Sequence, residues 1–331
     1  MNIKFLKAGS GDSILIHHKK YNVLIDGGND SSYLINEVNE IYSKEEAIDL
    51  LIITHHDDDH IKGIIELVKS IKNGNYGKDF IKRVLFNSPR KILGLVPLPQ
   101  NDNLLSYKQS FELENLFLEL SIKWEQCTEE TAQIVFDDLK IDFLSPTSED
   151  LNMYSSHKSV RLSDAKCDWT STMSELEKYI DDENQDTSLP NKCSIVINVE
   201  CDDKKVLLTG DVTPDRLELI VLNLLAESLT DRLSFDYIKL PHHGSYRSLN
   251  RKILEKIKCN NYIFSTSSKR HYLPNKRALL KLLKFVKRDK DKLDFIFNYN
   301  EALINLQITE KEKEKYNFKL TPNNKDYGII I

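Results

Sequence analysis

One stretch constrains this chain more than any other: Leu51-Ile52-Ile53-Thr54-His55-His56-Asp57-Asp58-Asp59-His60-Ile61-Lys62-Gly63. Apolar and β-branched residues form a short buried strand, histidines and aspartates fill positions 55–60, and an amphipathic run follows at once from 61 to 71. The pattern is a strand, a loop of metal-type ligands and a helix. A loop leaving the carboxyl end of a buried strand aims alternate side chains into one cavity, so His55, Asp57 and Asp59 point together and His60 opens the helix beside them. Without a cation the three carboxylates would be crowded like charges, so the density of imidazole and carboxylate suits one or two divalent ions.

The chain has 331 residues, 40% hydrophobic and 29% charged, enough to bury a large core. Its longest apolar run, residues 217–225, is broken by Glu218 and Asn223 and falls short of the roughly 20 residues of a membrane span. No membrane association is expected. The amino terminus reaches Gly9 and Asp12 before a signal-peptide core forms, so a cytoplasmic location is expected. Five cysteines, with no C-x-x-C pair, suggest neither a disulfide framework nor a thiolate zinc site.

In chain order, residues 3–7, 13–17 and 22–25 read as a meander of short strands ending at Asp26-Gly27-Gly28. Asp26 either faces the cavity of the ligand loop or caps a helix over residues 31–42. A strand at 84–86, a proline-rich crossing at 88–100, a helix over 103–120 and a strand at 141–144 follow. Residues 147–190 are serine-rich and then acidic, and read as a polar insertion or lid outside the core. His157 lies in it, and a lone histidine in a polar loop is not expected to bind metal.

The second half opens with a hairpin of buried strands, 193–199 and 205–209, which ends on Gly210-Asp211 before a helix to residue 226. A further strand rises to Pro241-His242-His243-Gly244-Ser245, followed by a helix over 249–257 and a strand at 262–264. Short strands near Phe295, Ile304 and Ile329 close the chain, and residues 311–315 read as a solvated charge run. Spacing alone gives a layered α/β or α+β fold in which the two halves repeat one plan, as a single domain over residues 1–331.

Positions 55–60 resemble the His-x-His-x-Asp-His signature of the metallo-β-lactamase fold, with Asp57 in place of the second histidine. That version is similar to the hydrolase domain of the ComEC-type competence proteins that take up DNA and their stand-alone relatives. Gly11-Asp12-Ser13, Asp26-Gly27-Gly28, Gly210-Asp211 and Leu240-Pro241-His242-His243-Gly244-Ser245 resemble the other motifs of that family, in the same order. The resemblance implies a four-layer αββα sandwich. It implies that His55 and Asp57 hold one metal, that Asp59, His60 and His243 hold a second, and that Asp211 bridges both. His242 then stands behind the ligands or faces the substrate, and the choice between His242 and His243 as ligand stays open, since adjacent side chains point apart and only one is expected to face the cations. Asp12 and Asp26 have supporting roles. Many members place a further histidine before the second-half hairpin, where this chain offers Asn191 and Ser194, a pair that resembles the competence-type subfamily.

Asp57 and the missing histidine shift the first metal towards oxygen ligands, which favours manganese or magnesium relative to zinc there. Two divalent ions about 3.5–4 Å apart share an activated hydroxide and stabilise the attacking and leaving oxygens of a phosphoryl displacement. The expected function is therefore a metal-dependent hydrolase, a phosphodiesterase or nuclease, with Asp59, Asp211 and His242 at the chemistry. The alternatives are a hydrolase of a phosphocholine-type ester, lactone, thioester or lactam, and a ligand-binding module without catalysis.

Net charge is −5, yet residues 269–292 hold ten Lys or Arg against two Asp, a local +8 that leaves −13 for the rest. Arg277, Lys281, Lys284 and Arg288 fall at i, i+4, i+7 and i+11, a helical stripe opposite Leu279, Leu282, Leu283 and Val286. The stripe reads either as a contact for the phosphates of a nucleic-acid substrate or as a solvated face.

Overall fold

The computed structural model describes residues 1–93, 105–155, 167–181, 184–288 and 292–331. Among these residues two large sheets face each other. One has seven strands in the order Gly328–Ile330, Asn2–Leu6, Ile14–His18, Tyr21–Ile25, Leu50–Ile53, Val84–Phe86, Trp124–Glu125. The other has eight, in the order Phe318–Thr321, Leu293–Phe297, Asn261–Phe264, Tyr237–Lys239, Lys204–Leu208, Val196–Cys201, Leu139–Ser145, Ile134–Phe136. This is a mixed α/β fold with helices outside both sheets, consistent with the αββα sandwich.

Alternation along each central strand assigns its residues to layers. Ile52 of Leu50–Ile53 packs between the sheets, with Val23 and Ile25 on the same side and Ile197, Val206 and Ile263 opposite. Leu51 and Ile53 point the other way, onto Ile61, Ile64 and Val68 of the helix Asp58–Lys72. In the second sheet Leu207, Ile238, Tyr262 and Phe295 pack outward against Leu217 and Ile220 of the helix Pro214–Ser228 and Leu279 and Leu282 of the helix Lys276–Phe285. A strand covered on both faces must be apolar at consecutive positions, which is why Leu50–Ile53 reads as an unbroken buried run.

The ligand loop is held by close backbone packing. A Cβ on Gly63 would lie 2.0 Å from the Gly27 carbonyl oxygen, and one on Gly11 would lie 1.7 Å from that of Asp59. Glycine at both positions lets the two amino-terminal turns lie directly on the start of the helix Asp58–Lys72. Asp58 and Asp59 in its first turn, and Lys69 and Lys72 in its last, suit its dipole.

Several expected elements differ. The helix expected over 249–257 is the shorter Arg251–Leu254 followed by a strand at Ile257–Lys258, and Ile304 lies in a helix, Asn300–Asn305. The charge run at 311–315 belongs to the helix Glu310–Tyr316, started by a reciprocal Thr309–Glu312 capping box and anchored by buried Tyr316. The 147–190 segment is not outside the core in its described parts: Met173 and Leu176 are buried in the second outer layer, and Trp169 Nε1 donates to the Pro274 carbonyl at 2.7 Å. His157 lies outside the described residues. No helix among them is long and apolar enough to cross a membrane.

Candidate metal centre

The strands Leu50–Ile53, Lys204–Leu208 and Tyr237–Lys239 end at one place, where the loops after them bring their polar residues together. His55, His60, Asp211 and His243 are buried there. His60 Nε2 lies 3.5 Å from Asp211 Oδ1, and His243 Nε2 lies 3.4 Å from Asp211 Oδ2 and 3.5 Å from Asp59 Oδ2. His55 stacks beside His60 with ring centres 4.2 Å apart, and its Nε2 is 3.9 Å from Asp57 Oδ2. Two donor triads, His55–His60–Asp211 and Asp59–His60–His243, each fit within 4.8 Å.

The outward nitrogen of each imidazole is fixed by the protein. Asp26 accepts from Thr54 N at 2.8 Å, from the Thr54 hydroxyl at 2.6 Å and from His60 Nδ1 at 2.7 Å. The Thr54 hydroxyl proton is thus committed, so its oxygen, 3.1 Å from His55 Nδ1, accepts from that ring. His243 Nδ1 donates to the Ser265 carbonyl at 3.0 Å. With Nδ1 carrying the proton, the neutral ring presents a lone pair at Nε2. The Nε2 atoms of His55, His60 and His243 and Oδ1 of Asp211 are all buried with no hydrogen-bond partner among the described residues. Buried polar atoms are rarely left so, and donors of this kind turned towards one another fit divalent cations.

Electrostatics points the same way. Burial lowers the His55 imidazole to about 3, and repulsion from His60 adds to it. Burial also opposes charge on His60 and His243, but Asp211 with Asp26, and Asp211 with Asp12, outweigh it and hold both rings well above the ordinary imidazole range. Asp211 is buried too, yet His243 and His60 hold it well below the usual carboxylate range. In the cation-free chain, imidazolium protons do the neutralising that metal ions do in a loaded site.

The supporting residues take definite places. Asp26 caps no helix: the helix Ser32–Ser43 begins after Ser31, and Asp26 holds His60. Ser194 Oγ accepts from Asp211 N at 3.1 Å and lies 3.3 Å from His55 Nδ1, so it positions two ligands from behind. Asn191 Nδ2 donates to Asp186 at 2.8 Å and lies 3.3 Å from His242 Nδ1. Asp12 pairs with Lys239, whose ammonium also donates to the Gly210 carbonyl at 2.9 Å. Burial would raise Asp12, but Lys239 overrides it.

The expectation that only one of His242 and His243 faces the site is corrected. Both residues are left-handed, with φ of 47° and 54°, which brings both Nε2 atoms to Asp211 Oδ2, at 3.9 and 3.4 Å. His243 is buried among the ligands. His242 is 30% exposed, and its Nδ1 meets Asp186 at 3.0 Å.

The basic stripe is also corrected. The helix is Lys276–Phe285, and Arg277 and Lys281 are buried on it. The Arg277 guanidinium stacks on the Tyr246 ring at 3.4 Å, and the Lys281 ammonium donates to the carbonyls of Tyr246 and Leu249, both at 2.7 Å. Arg288 lies beyond the helix and donates to the carbonyls of Asn317 and Tyr316, while Lys284 pairs with Glu177 at 3.3 Å. Neighbouring segments cover this face, so it is no continuous basic surface.

Sequence reading missed Lys239, Thr54 and Asp186. Lys239 ends an alternating strand, where a lysine reads as solvent-facing, and Thr54 reads as one more strand residue. Asp186 was hidden in an acidic run. The available signal was position: Lys239 and Thr54 each directly adjoin a ligand motif.

Two helix-covered sheets that join a cluster of imidazoles and carboxylates at their strand ends define a sandwich with a candidate metal centre. Residues 6–122 match the model of the metallo-beta-lactamase superfamily. No curated protein matches the chain in sequence. Similar solved structures include Zn(2+)-bound PqqB from Methylobacterium extorquens, at 9% identity and a TM-score of 0.49, covering 100% of this chain and 99% of that one. The metallo-beta-lactamase fold protein YhfI from Bacillus subtilis has 10% identity and a TM-score of 0.44, with 100% and 98% covered. A diphosphatase of the PhnP family has 14% identity and a TM-score of 0.37, with 82% and 88% covered.

Proposed function

We propose that this chain is a divalent-metal hydrolase of the metallo-β-lactamase superfamily, acting on a phosphodiester. The observation that carries it is the set of three buried Nε2 atoms without hydrogen-bond partners among the described residues, those of His60 and His243 lying 3.5 and 3.4 Å from the Asp211 carboxylate and that of His55 lying 3.9 Å from Asp57. His55, Asp57 and Asp211 would hold one ion, and Asp59, His60, His243 and Asp211 the other. When bound, such ions supply Lewis-acid stabilisation of charge and activation of water. Thr54, Asp26, Ser194 and the Ser265 carbonyl keep the imidazoles in the ligand tautomer. Burial disfavours charge on His242, but Asp211 and Asp186 outweigh it and raise its pKa in the cation-free chain; its Nδ1 on Asp186 at 3.0 Å and its Nε2 at the rim of the centre would place it to pass a proton to a departing oxygen.

Asp57, and the lack of a histidine where Asn191 and Ser194 stand, features that resemble the competence-type hydrolases, fit a first ion poor in nitrogen ligands, such as manganese. Burial of Arg277 and Lys281 removes the argument for a polynucleotide, so the substrate proposed is a small phosphodiester. The test is elemental analysis of protein purified without chelator, beside a screen on a bis-aryl phosphate, single-stranded DNA, RNA and a lactone. The expected result is up to two metal equivalents, absent from the Asp59→Ala/His60→Ala variant, with turnover of the aryl phosphate. Equal metal content in the two proteins ends the reading, and lactone cleavage with an inert phosphodiester transfers it to the ester-hydrolase class.

A further inference from the structure

At the opposite end of the sandwich, three hairpin turns from both sheets bring together residues that the centre above does not use. His18 ends the strand Ile14–His18, whose partner Tyr21–Ile25 runs from this end to Asp26 in the metal centre. Asp138 sits in the turn between Ile134–Phe136 and Leu139–Ser145, and Cys201 ends Val196–Cys201. His18 and Cys201 are buried, and Asp138 is exposed.

Their spacing is that of a coordination shell. Cys201 Sγ lies 3.7 Å from His18 Nδ1, 3.7 Å from Asp138 Oδ2 and 3.9 Å from Asp202 Oδ2. A tetrahedral zinc with bonds of roughly 2.0–2.3 Å separates its ligands by about 3.3–3.8 Å. His18, Asp138 and Cys201 offer ligand atoms that all lie within 4.8 Å of one another. His18 Nε2 meets Asp138 Oδ1 at 2.9 Å, which orients the ring with Nδ1 towards the thiol. The present counter-charge is Lys19, whose ammonium lies 2.5 Å from Asp138 Oδ1 and 3.2 Å from Asp137 on a side chain 53% exposed, so a cation can displace it into solvent. Asp202, next to Cys201 in the chain, lines an open polar cavity of about 570 Å³.

We propose that His18, Cys201 and Asp138 form a separate divalent-cation site of nitrogen, sulfur and oxygen ligands, of the class that takes zinc. Binding exchanges the thiol proton for the metal, Cys201 coordinating as thiolate and the proton passing to buffer. The ion pins turns of the two sheets to each other, a structural role. The site shares no residue with the hydrolase centre, whose donor triads contain no sulfur.

That difference supplies the test. The full chain is titrated with cobalt(II), and the thiolate-to-cobalt charge-transfer absorption in the near ultraviolet is followed in wild type, Cys201→Ser and Asp138→Asn. The expected result is a saturable band in wild type that Cys201→Ser abolishes, together with the loss of one bound equivalent, while the sulfur-free centre retains its metal. Asp138→Asn, a substitution of the same shape on an exposed turn, weakens the band's saturation, and so stands if Cys201→Ser fails to fold. A wild type without the band, or a band that survives Cys201→Ser, overturns the site and leaves the cluster an ion-pair network.

Discussion

His60 is held at both ends of its ring, by Asp26 at Nδ1 and by Asp211 near Nε2, and its two states serve two forms of the protein. In the cation-free chain its raised pKa, like that of His243, keeps it protonated at neutral pH. The stability this gives is fully present below the unfolded value of about 6.5 and is lost as pH rises through the higher folded value. A metal ion requires the neutral Nε2, so at neutral pH loading the centre must expel protons from His60 and His243. Two consequences are expected: net proton release on metal uptake, and an apparent affinity that strengthens as pH rises from about 6 to 8. Calorimetric titration in buffers of different ionisation enthalpy counts the protons. Uptake with no release, and with a flat pH dependence, would contradict the assignment of these two rings as ligands.

The helix Lys276–Phe285 makes the same kind of point for an element. Its leucines face the core as the period of the sequence requires, but its basic residues are packed as well, because the turn after His242-His243 folds over it. Lys281 holds that turn by two charged hydrogen bonds in a buried setting, so Lys281→Ala leaves the carbonyls of Tyr246 and Leu249 without their donor. A loss of about 3 kcal/mol is expected, read from the urea midpoint at unchanged slope. A variant as stable as wild type would return the residue to the surface. What the sequence made legible follows from contiguity: strand, ligands and helix at 50–72 lie in one run, and each later ligand sits at the tip of an apolar strand. The role of Asp186, the pairing of Lys239 with Asp12 and the burial of Lys281 were illegible because each depends on a segment distant in the chain. Periodicity reports which face a helix turns to its own sheet, and says nothing of what a remote loop lays over the other face.

At the scale of the whole molecule, the candidate metal centre is divided between the sheets. His55, Asp57, Asp59 and His60 follow a strand of the first, whereas Asp211 and His243 follow strands of the second. The layer between them, with Ile52 and Leu85 packed among Ile197, Val199 and Ile263, is what keeps the two ligand sets in register. A cation that binds this joint site recognises only the chain with both sheets in place, so its binding free energy stabilises the whole fold. At a hundredfold excess over Kd that is about 2.7 kcal/mol, a rise in Tm of about 4 °C for a domain of this size. The expected outcome is one cooperative transition that moves upward as a unit when manganese or zinc is added to chelated protein. In Asp211→Ala, which lacks the carboxylate reached from both sheets, the same addition leaves Tm within about 1 °C of the chelated variant. Scanning calorimetry of both proteins, each with and without metal, makes the comparison. Two separate transitions, only one of them moved by metal, would mean that the halves fold as independent units and that the centre does not join them.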